Sequence, residues 1–536
     1  MLKRKNLTLR QRVLREYKKA YREEFNHIYE RKDLSGVEGK LLKYYREQQR
    51  ELKRFKKFSE EKEMWNDVQK SDIVYVGDFH PLYGVKLNFC DIIENTTDDR
   101  KTIIALEEFL KEEQHLLDGF AKGEISKKEV KRFIERKPNN TSPSGIVKIL
   151  TYARKKGIIV RGIDTYKKNP KSRILSARLR DDFFAKQLTE IYTKNDFPRI
   201  FVLAGDIHVA RCHLPKKTKK QLKETIKDLV IFQNEEQIFW QLMSLGKEHI
   251  VPLVKLYNGD YCINHTPPLL KELVFQNIHT PQEERDDTTG LLLQYIRVTQ
   301  RIITQSLGIY ETNIPIDLVT FHDDKKIESL LLEYQEEERI VKEDIPFIMA
   351  ASAEGRSCSL IHNRKAIIYL ASDEMEHIAE EIAHITQPIQ LLPQRTLFNE
   401  PIKEMIQHFY SQIIEEAIGY IGSKMMVPTR QPFDIEEIDL KRHPLLFDFI
   451  KNHHCIEKTG KINSMEKMFS ETLEKVLTYS DFLTHYFGGH LGEKIYNLNE
   501  KGNLSVTEIR TLFKRNFKYQ NNAIQEYFRI ITLETN

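Results

Sequence analysis

Several short runs of the chain are apolar at nearly every position rather than at every second one. They are Ser71–His80 (SDIVYVGDFH), Lys101–Phe109 (KTIIALEEF) and Arg199–His208 (RIFVLAGDIH). A strand wetted on one face alternates, so an unbroken run of β-branched and aromatic residues predicts a strand covered on both faces, as in a parallel sheet. Further strands are expected at Gly157–Asp164 (GIIVRGID), Leu229–Gln233 and Tyr261–Asn264, with a helical segment at Ser142–Ala153 (SPSGIVKILTYA). The order predicts an α/β domain over residues 70–280 with a mixed, mainly parallel sheet.

The flanking regions follow a helical period. Val13, Tyr17, Tyr21, Phe25 and Ile28 recur every three to four residues, as do Leu41, Tyr45, Leu52 and Phe55 with one gap. They predict a helical arm over 1–69, with the turn at Asp33–Gly39 (DLSGVEG). His279–Gly290 (HTPQEERDDTTG) is polar and acidic and has no period, which makes 281–290 the expected linker. Residues 291–536 read as a second, mostly helical domain. In it a strand at Asn363–Leu370 (NRKAIIYL) leads into a helix at Ser372–Ile385 (SDEMEHIAEEIAHI), capped by Ser372 or Asp373.

Composition bounds the rest. At 536 residues, 40% hydrophobic and 30% charged, the chain has an ordinary globular balance and exceeds a single core. The net charge of +5 is uneven, since residues 1–60 carry 19 Lys and Arg against 9 Asp and Glu. A basic arm on a mildly acidic body is open to contact with an anionic surface or a partner protein, although simple solvation accounts for it as well. No specific nucleic-acid motif, Walker loop, dinucleotide fingerprint or serine elbow occurs. Five scattered cysteines without a CxxC pair, no apolar run of membrane-spanning length, no secretory leader and no lipidation cysteine point to a cytoplasmic location. Oligomeric state and substrate, whether small molecule or peptide, are left open.

The candidate chemistry lies at the ends of the apolar runs. Two of them break at Gly-Asp and deliver a histidine two residues later, as Gly77-Asp78-Phe79-His80 and Gly205-Asp206-Ile207-His208. Glycine would let the backbone turn there, and in open α/β sheets ligands gather at the carboxyl ends of strands. His80, His208 and Glu107 are therefore placed around one pocket, as ligands of a divalent metal or as an acid/base set. Asp78 and Asp206 would orient the two imidazoles, Arg211 would offer an anion contact, and Glu108 should leave its strand on the opposite face. The alternative is two loop histidines with structural hydrogen bonds.

The strand–GDFH motif, the following Leu106-Glu107-Glu108-Phe109 and the closing Ala204-Gly205-Asp206-Ile207-His208-Val209-Ala210-Arg211 resemble, in that order, the ChaN-like haem-binding-uptake branch of the superfamily that also holds the Tiki, TraB and erythromycin-esterase proteins. Asp78 stands where that pattern has Glu. The resemblance covers residues 70–275 and implies either metal-dependent hydrolysis or haem binding, with His80 and Tyr83 as candidate haem ligands. The expected function is thus a metal-dependent hydrolase-like protein. A non-catalytic haem- or ligand-binding protein is the alternative, and a scaffold with relic sites is the third.

The helical domain has its own constellation. On the helix at Ser372–Ile385, Met375, Ile378, Ile382 and Ile385 form an apolar stripe, while His377, Glu380, Glu381 and His384 share the other face. A later helix carries Glu415-Glu416 in IIEEAIGYIGSKMM. Strand, Glu-Glu-x-x-His helix and Glu helix resemble a minimal zincin whose first HExxH histidine is replaced by Glu380. The resemblance implies a degenerate metal site of Glu380, His384 and Glu416, with Glu381 at the base position and no peptidase activity. The competing reading is the wet face of an amphipathic helix.

Overall fold

The computed structural model describes the chain except for residues 1–6, 30–37, 97–99, 138–140, 166–172, 224–225, 280–287, 310–314, 321–326, 338–339, 341, 343, 354, 363–364, 373, 387–400, 434–443, 516–521 and 535–536. The proposed turn at 33–37, Asp373 and most of the 281–290 linker lie outside the described residues. Contacts divide the chain into two compact units. One is Tyr21–Arg285 and the other is Met1–Ala20 with Asp286–Asn536. The basic arm is therefore shared between the units rather than standing apart. Among the described residues no helix is long and apolar enough to cross a membrane.

The first unit is built on eight strands: β1 (Phe55–Phe58), β2 (Ile73–Asp78), β3 (Thr102–Leu110), β4 (Ile159–Asp164), β5 (Arg199–Gly205), β6 (Asp228–Gln233), β7 (Leu253–Leu256) and β8 (Tyr261–Ile263). Their order across the sheet is β1-β7-β8-β6-β2-β5-β3-β4. From β8 to β4 every pairing is parallel, and only β1–β7 and β7–β8 are antiparallel. This is a mixed, mainly parallel sheet. The unbroken apolar runs have the cause inferred from them, because both faces are covered. Val74 and Val76 enter one core with Phe89, Leu117 and Ile149, while Ile73 and Tyr75 enter the other with Phe184, Leu188 and Ile238.

The order of strands positions the site. β2 and β3 both flank β5, with Asp78 level with Gly205 and Leu106 level with Leu203. The three carboxyl ends that carry the GDFH, LEE and GDIH residues are therefore neighbours, although they are far apart in the chain. Ser142 caps the helix Pro143–Lys156 by accepting from the Gly145 amide, as its position before Pro143 favours.

The second unit has a small sheet of β9 (Ile316–Thr320), β10 (Cys358–His362) and β11 (Lys365–Leu370), in the order β10-β11-β9. β11 pairs antiparallel with β10 and parallel with β9. The helix after β11 is Met375–Ile385, with Glu374 rather than Ser372 at its N-cap. Helices Ile402–Met426 and Ser480–Glu500 are packed through glycine. A Cβ on Gly422 would lie 2.3 Å from Ala383 Cβ, and one on Gly488 would lie 2.3 Å from Glu416 Cβ. Without side chains at these crossings the helix backbones approach closely.

Candidate functional site

His80 emerges just past β2 and is held by its inner nitrogen. Nδ1 lies 2.9 Å from both Asp78 Oδ2 and Glu108 Oε1, which leaves Nε2 turned toward Glu107 Oε1 at 4.0 Å. Lys86, fully buried on the following helix Tyr83–Glu94, donates to Asp78 Oδ1 at 2.5 Å and to the His80 carbonyl at 2.6 Å. His208 has the same arrangement on the other side. Its Nδ1 lies 2.5 Å from Asp181 Oδ1 and its Nε2 lies 3.7 Å from Glu107 Oε1. Tyr44 in turn donates to the second Asp181 oxygen.

Glu107 stands between the imidazoles. Its Oε2 accepts from the Gly205 amide at 2.6 Å and its Oε1 from Arg180 at 2.5 Å, and Arg180 also binds Asp164 at 2.8 and 3.0 Å. A Cβ added to Gly205 would stand 3.5 Å from Glu107 Oε2, 3.5 Å from His208 Cδ2 and 3.6 Å from His80 Nε2. A methyl at this position would thus meet all three residues at ordinary contact distances. The ligand atoms of Asp78, His80 and Glu108 all lie within 4.8 Å of one another. Those of His80, Glu107 and His208 are spread more widely, so one ion bound by all three would require the rings to move inward.

The charges are unbalanced. Glu108 Oε2 and Asp206 Oδ1 are buried and accept no hydrogen bond, so the pocket carries more acceptor capacity than its cations fill. Burial disfavours charge on His80, but the Glu108 carboxylate and the bond to Asp78 outweigh it and hold the imidazole well above its usual range. Burial likewise opposes charge on Glu107, yet Arg180, His208 and His80 keep this carboxyl well below the usual range. Asp206 goes the other way, raised by burial that Lys271 only partly offsets, and the neighbouring Glu235 is pushed up to about 8 by burial and by Asp206.

The structure brings His80, Glu107, His208 and Asp78 together, and it redraws three other expectations. Asp206 does not orient His208. It points to Lys271 Nζ at 3.2 Å, and Asp181 from the helix Arg173–Lys194 orients the imidazole instead. Arg211 is not a free anion contact, because Asp228 and Asp260 occupy its donors, with Nη1 to Asp228 Oδ1 at 2.6 Å and Nε to Asp260 Oδ2 at 2.8 Å. Glu108 does leave β3 on the side away from Glu107, toward Thr141 at 2.8 Å, but that side still borders His80. Tyr83 opens its helix and is 44% exposed. The motif glycines have a different role from the expected turn, since neither Gly77 nor Gly205 has positive φ. A Cβ on Gly77 would stand 2.5 Å from Asp206 Oδ1, so glycine there lets that carboxylate lie against the strand.

Three comparisons bear on the chain. Its segment 64–171 matches the family model described as haem-binding uptake, Tiki superfamily, ChaN. Over that segment the chain is similar to the ChaN family. That segment holds Asp78, His80, Glu107 and Glu108 but ends before Asp181, Gly205 and His208. Among solved structures, one similar chain is described as "Cofacial heme binding to ChaN of Campylobacter jejuni". It is 14% identical, with a TM-score of 0.27, over 38% of this chain and 91% of that one. Another, "The structure of the type III effector HopBA1", is 16% identical, with a TM-score of 0.29, over 38% of this chain and 92% of that one. No curated protein matches the sequence significantly.

In the second unit, ligand atoms of Glu380, His384 and Glu416 also lie within 4.8 Å of one another. The face that carries them is not wet. Glu380 and Glu381 are buried, and His384 sits against Gly419 of the helix Ile402–Met426. Arg430 Nη2 donates to both oxygens of Glu380, at 3.1 and 2.9 Å. Burial and the Glu380 charge push Glu381 up to about 8, and His485, 3.0 Å from Glu416, is raised to about 9 by that bond.

Both shifts act in one direction. The folded state binds Glu381's proton between its ordinary 4.5 and about 8, and His485's between its ordinary 6.5 and about 9. The stabilisation from His485 is full below pH 6.5 and lost as pH rises through about 9. Denaturant midpoints of the full chain should therefore fall from pH 6.5 to 9, and His485→Gln should flatten that slope. A midpoint that rises over this range would contradict the assignment.

Proposed function

We propose that the first unit is a hydrolase-like domain whose pocket at the ends of β2, β5 and β3 takes a divalent cation, with substrate unspecified. The observation that supports this reading is the shared orientation of the imidazoles. Each Nδ1 is tied to a carboxylate, and each Nε2 faces the same Glu107 oxygen. Histidines that bind metal commonly have this outer carboxylate, which fixes the ring and its tautomer. His80, Glu107 and His208 would hold the ion, His80 giving up its Nε2 proton to do so, and the unpartnered oxygen of Glu108 would add anionic charge beside it. When bound, a divalent cation lowers the pKa of a water and polarises a substrate carbonyl or phosphoryl oxygen. The chain's own residues orient the imidazoles through Asp78, Glu108 and Asp181, and they hold Glu107 ionised through Arg180.

A second reading, haem binding without catalysis, is favoured by the family match at 64–171. In this reading His80 and the exposed Tyr83 would be the side chains that meet the haem. The two readings separate by spectroscopy and elemental analysis of the purified full chain. Haem binding predicts a Soret band that His80→Ala or Tyr83→Phe weakens. The preferred reading predicts bound divalent metal, lost in His208→Ala, with no such band. A protein that takes up neither would favour a scaffold.

The Glu380–His384–Glu416 cluster we read as a degenerate zincin-like site without peptidase activity. Arg430 already supplies positive charge to Glu380, and Glu381, at about 8, is mostly protonated at neutral pH and so a poor base. Wild-type protein should not cleave peptides in a chelator-sensitive way. Such cleavage, abolished in Glu381→Gln, would contradict this reading.

A further inference from the structure

In the second unit the helix Pro444–Thr459 carries His453, His454 and Glu457, whose ligand atoms all lie within 4.8 Å of one another. We propose that these three residues form a binding site for a divalent first-row transition ion, through both histidine Nδ1 atoms and the Glu457 carboxylate. Glu457 lies four residues after His453 and three after His454, so it shares a helix face with each, and two imidazoles with one carboxylate suit zinc, cobalt and ferrous iron.

The second observation is an unpartnered nitrogen. His453 is fully buried, and its Nδ1 makes no hydrogen bond although it lies 3.2 Å from Glu457 Oε1. The Tyr410 hydroxyl lies 2.8 Å from His453 Nε2 and 3.4 Å from Met465 Sδ. A hydroxyl can either donate to or accept from Nε2, so the neutral ring can present its Nδ1 lone pair to an ion that enters the cluster. His454 repeats the arrangement, with Nε2 3.3 Å from the Tyr486 hydroxyl and Nδ1 2.5 Å from Glu457 Oε2. Tyr527 donates to Glu457 Oε1. Every ligand thus has a tyrosine behind it, the outer layer that orients metal-binding side chains.

Charge and access agree. Burial keeps His453 below its usual range, hence neutral and able to ligate without releasing a proton. Burial opposes charge on Glu457, but its contacts with His453, His454 and Tyr527 outweigh this and keep it ionised. The His454 side chain is 38% exposed, which gives an ion a way in and leaves a coordination position for water. Binding would displace the proton shared between His454 Nδ1 and Glu457.

The test is Co(II) titration of the chelator-treated full chain, followed by visible absorption and by the number of ions bound. His454→Gln, at a partly exposed position, and Tyr486→Phe, which touches no ligand atom from within the cluster, should leave the circular dichroism unchanged. The first removes a ligand and should weaken Co(II) binding about 100-fold or more, and the second, an outer partner, about 10-fold. His208→Ala should leave this Co(II) signal in place, so a failure here is distinct from a failure of the first-unit pocket. Wild-type protein that takes up no Co(II) sensitive to His454→Gln, or a His454→Gln protein that binds as wild type does, would overturn the proposal.

Discussion

Replacing Arg180 with Met should destabilise the protein by about 3–5 kcal/mol, the usual consequence of leaving a buried ion without its partner. Arg180 is the permanent cation bound to Glu107 and Asp164, at 2.5 and 2.8 Å, and both carboxylates are largely buried. Met retains much of the packing over Phe184, so the loss reports charge more than volume. The deficit should also depend on pH. In the wild type the depressed Glu107 contributes stability that is present above its ordinary 4.5 and is lost as pH falls. The variant should therefore approach wild type in acid. Urea unfolding at neutral and acid pH measures both, and a deficit independent of pH would point to packing instead.

Glu107→Gln should abolish cation binding at the first pocket, with affinity down about 100-fold or more, since it removes a charged ligand between two imidazoles. The amide can still accept from the Gly205 backbone, so the strand ends should hold their places. Gly205→Ala reaches the same loss by occupying space. Its φ of −48° suits alanine, and the new Cβ meets its neighbours at ordinary contact distances, so stability should change by no more than about 1 kcal/mol. If calorimetry shows both variants stable and binding metal as wild type does, the pocket has no such role.

The sheet was legible because its strands are covered on both faces, and unbroken apolar runs as short as IVYV and RIFVLA fit a strand buried on both sides better than a helix or a half-wet strand. His80, Glu107 and His208 were legible because each follows such a run directly, and their strands prove to be neighbours. Asp181 and Arg180 carried no signal. They lie in the middle of a charged helical stretch, LRDDF, and acquire their roles only when that helix packs beside β5. Arg211 misled for the converse reason, since a basic residue near a motif says nothing of Asp228 and Asp260, which occupy it. Asp206 failed on geometry, because the peptide after Gly205 starts a helical turn and directs its carboxylate back across Gly77 to Lys271. In the second unit the competing reading, a solvated polar face on Met375–Ile385, does not hold, because glycines at 419 and 422 bring a neighbouring helix close enough to bury it.

The most direct test of the first pocket is anomalous diffraction from crystals of the full chain grown with Mn(II) or Co(II). The account predicts a peak within about 2.0–2.3 Å of His80 Nε2, His208 Nε2 and a Glu107 oxygen, with the rings drawn inward. A pocket without such a peak in crystals that bind the ion elsewhere, or one whose His80 coordinates haem iron instead, would contradict it.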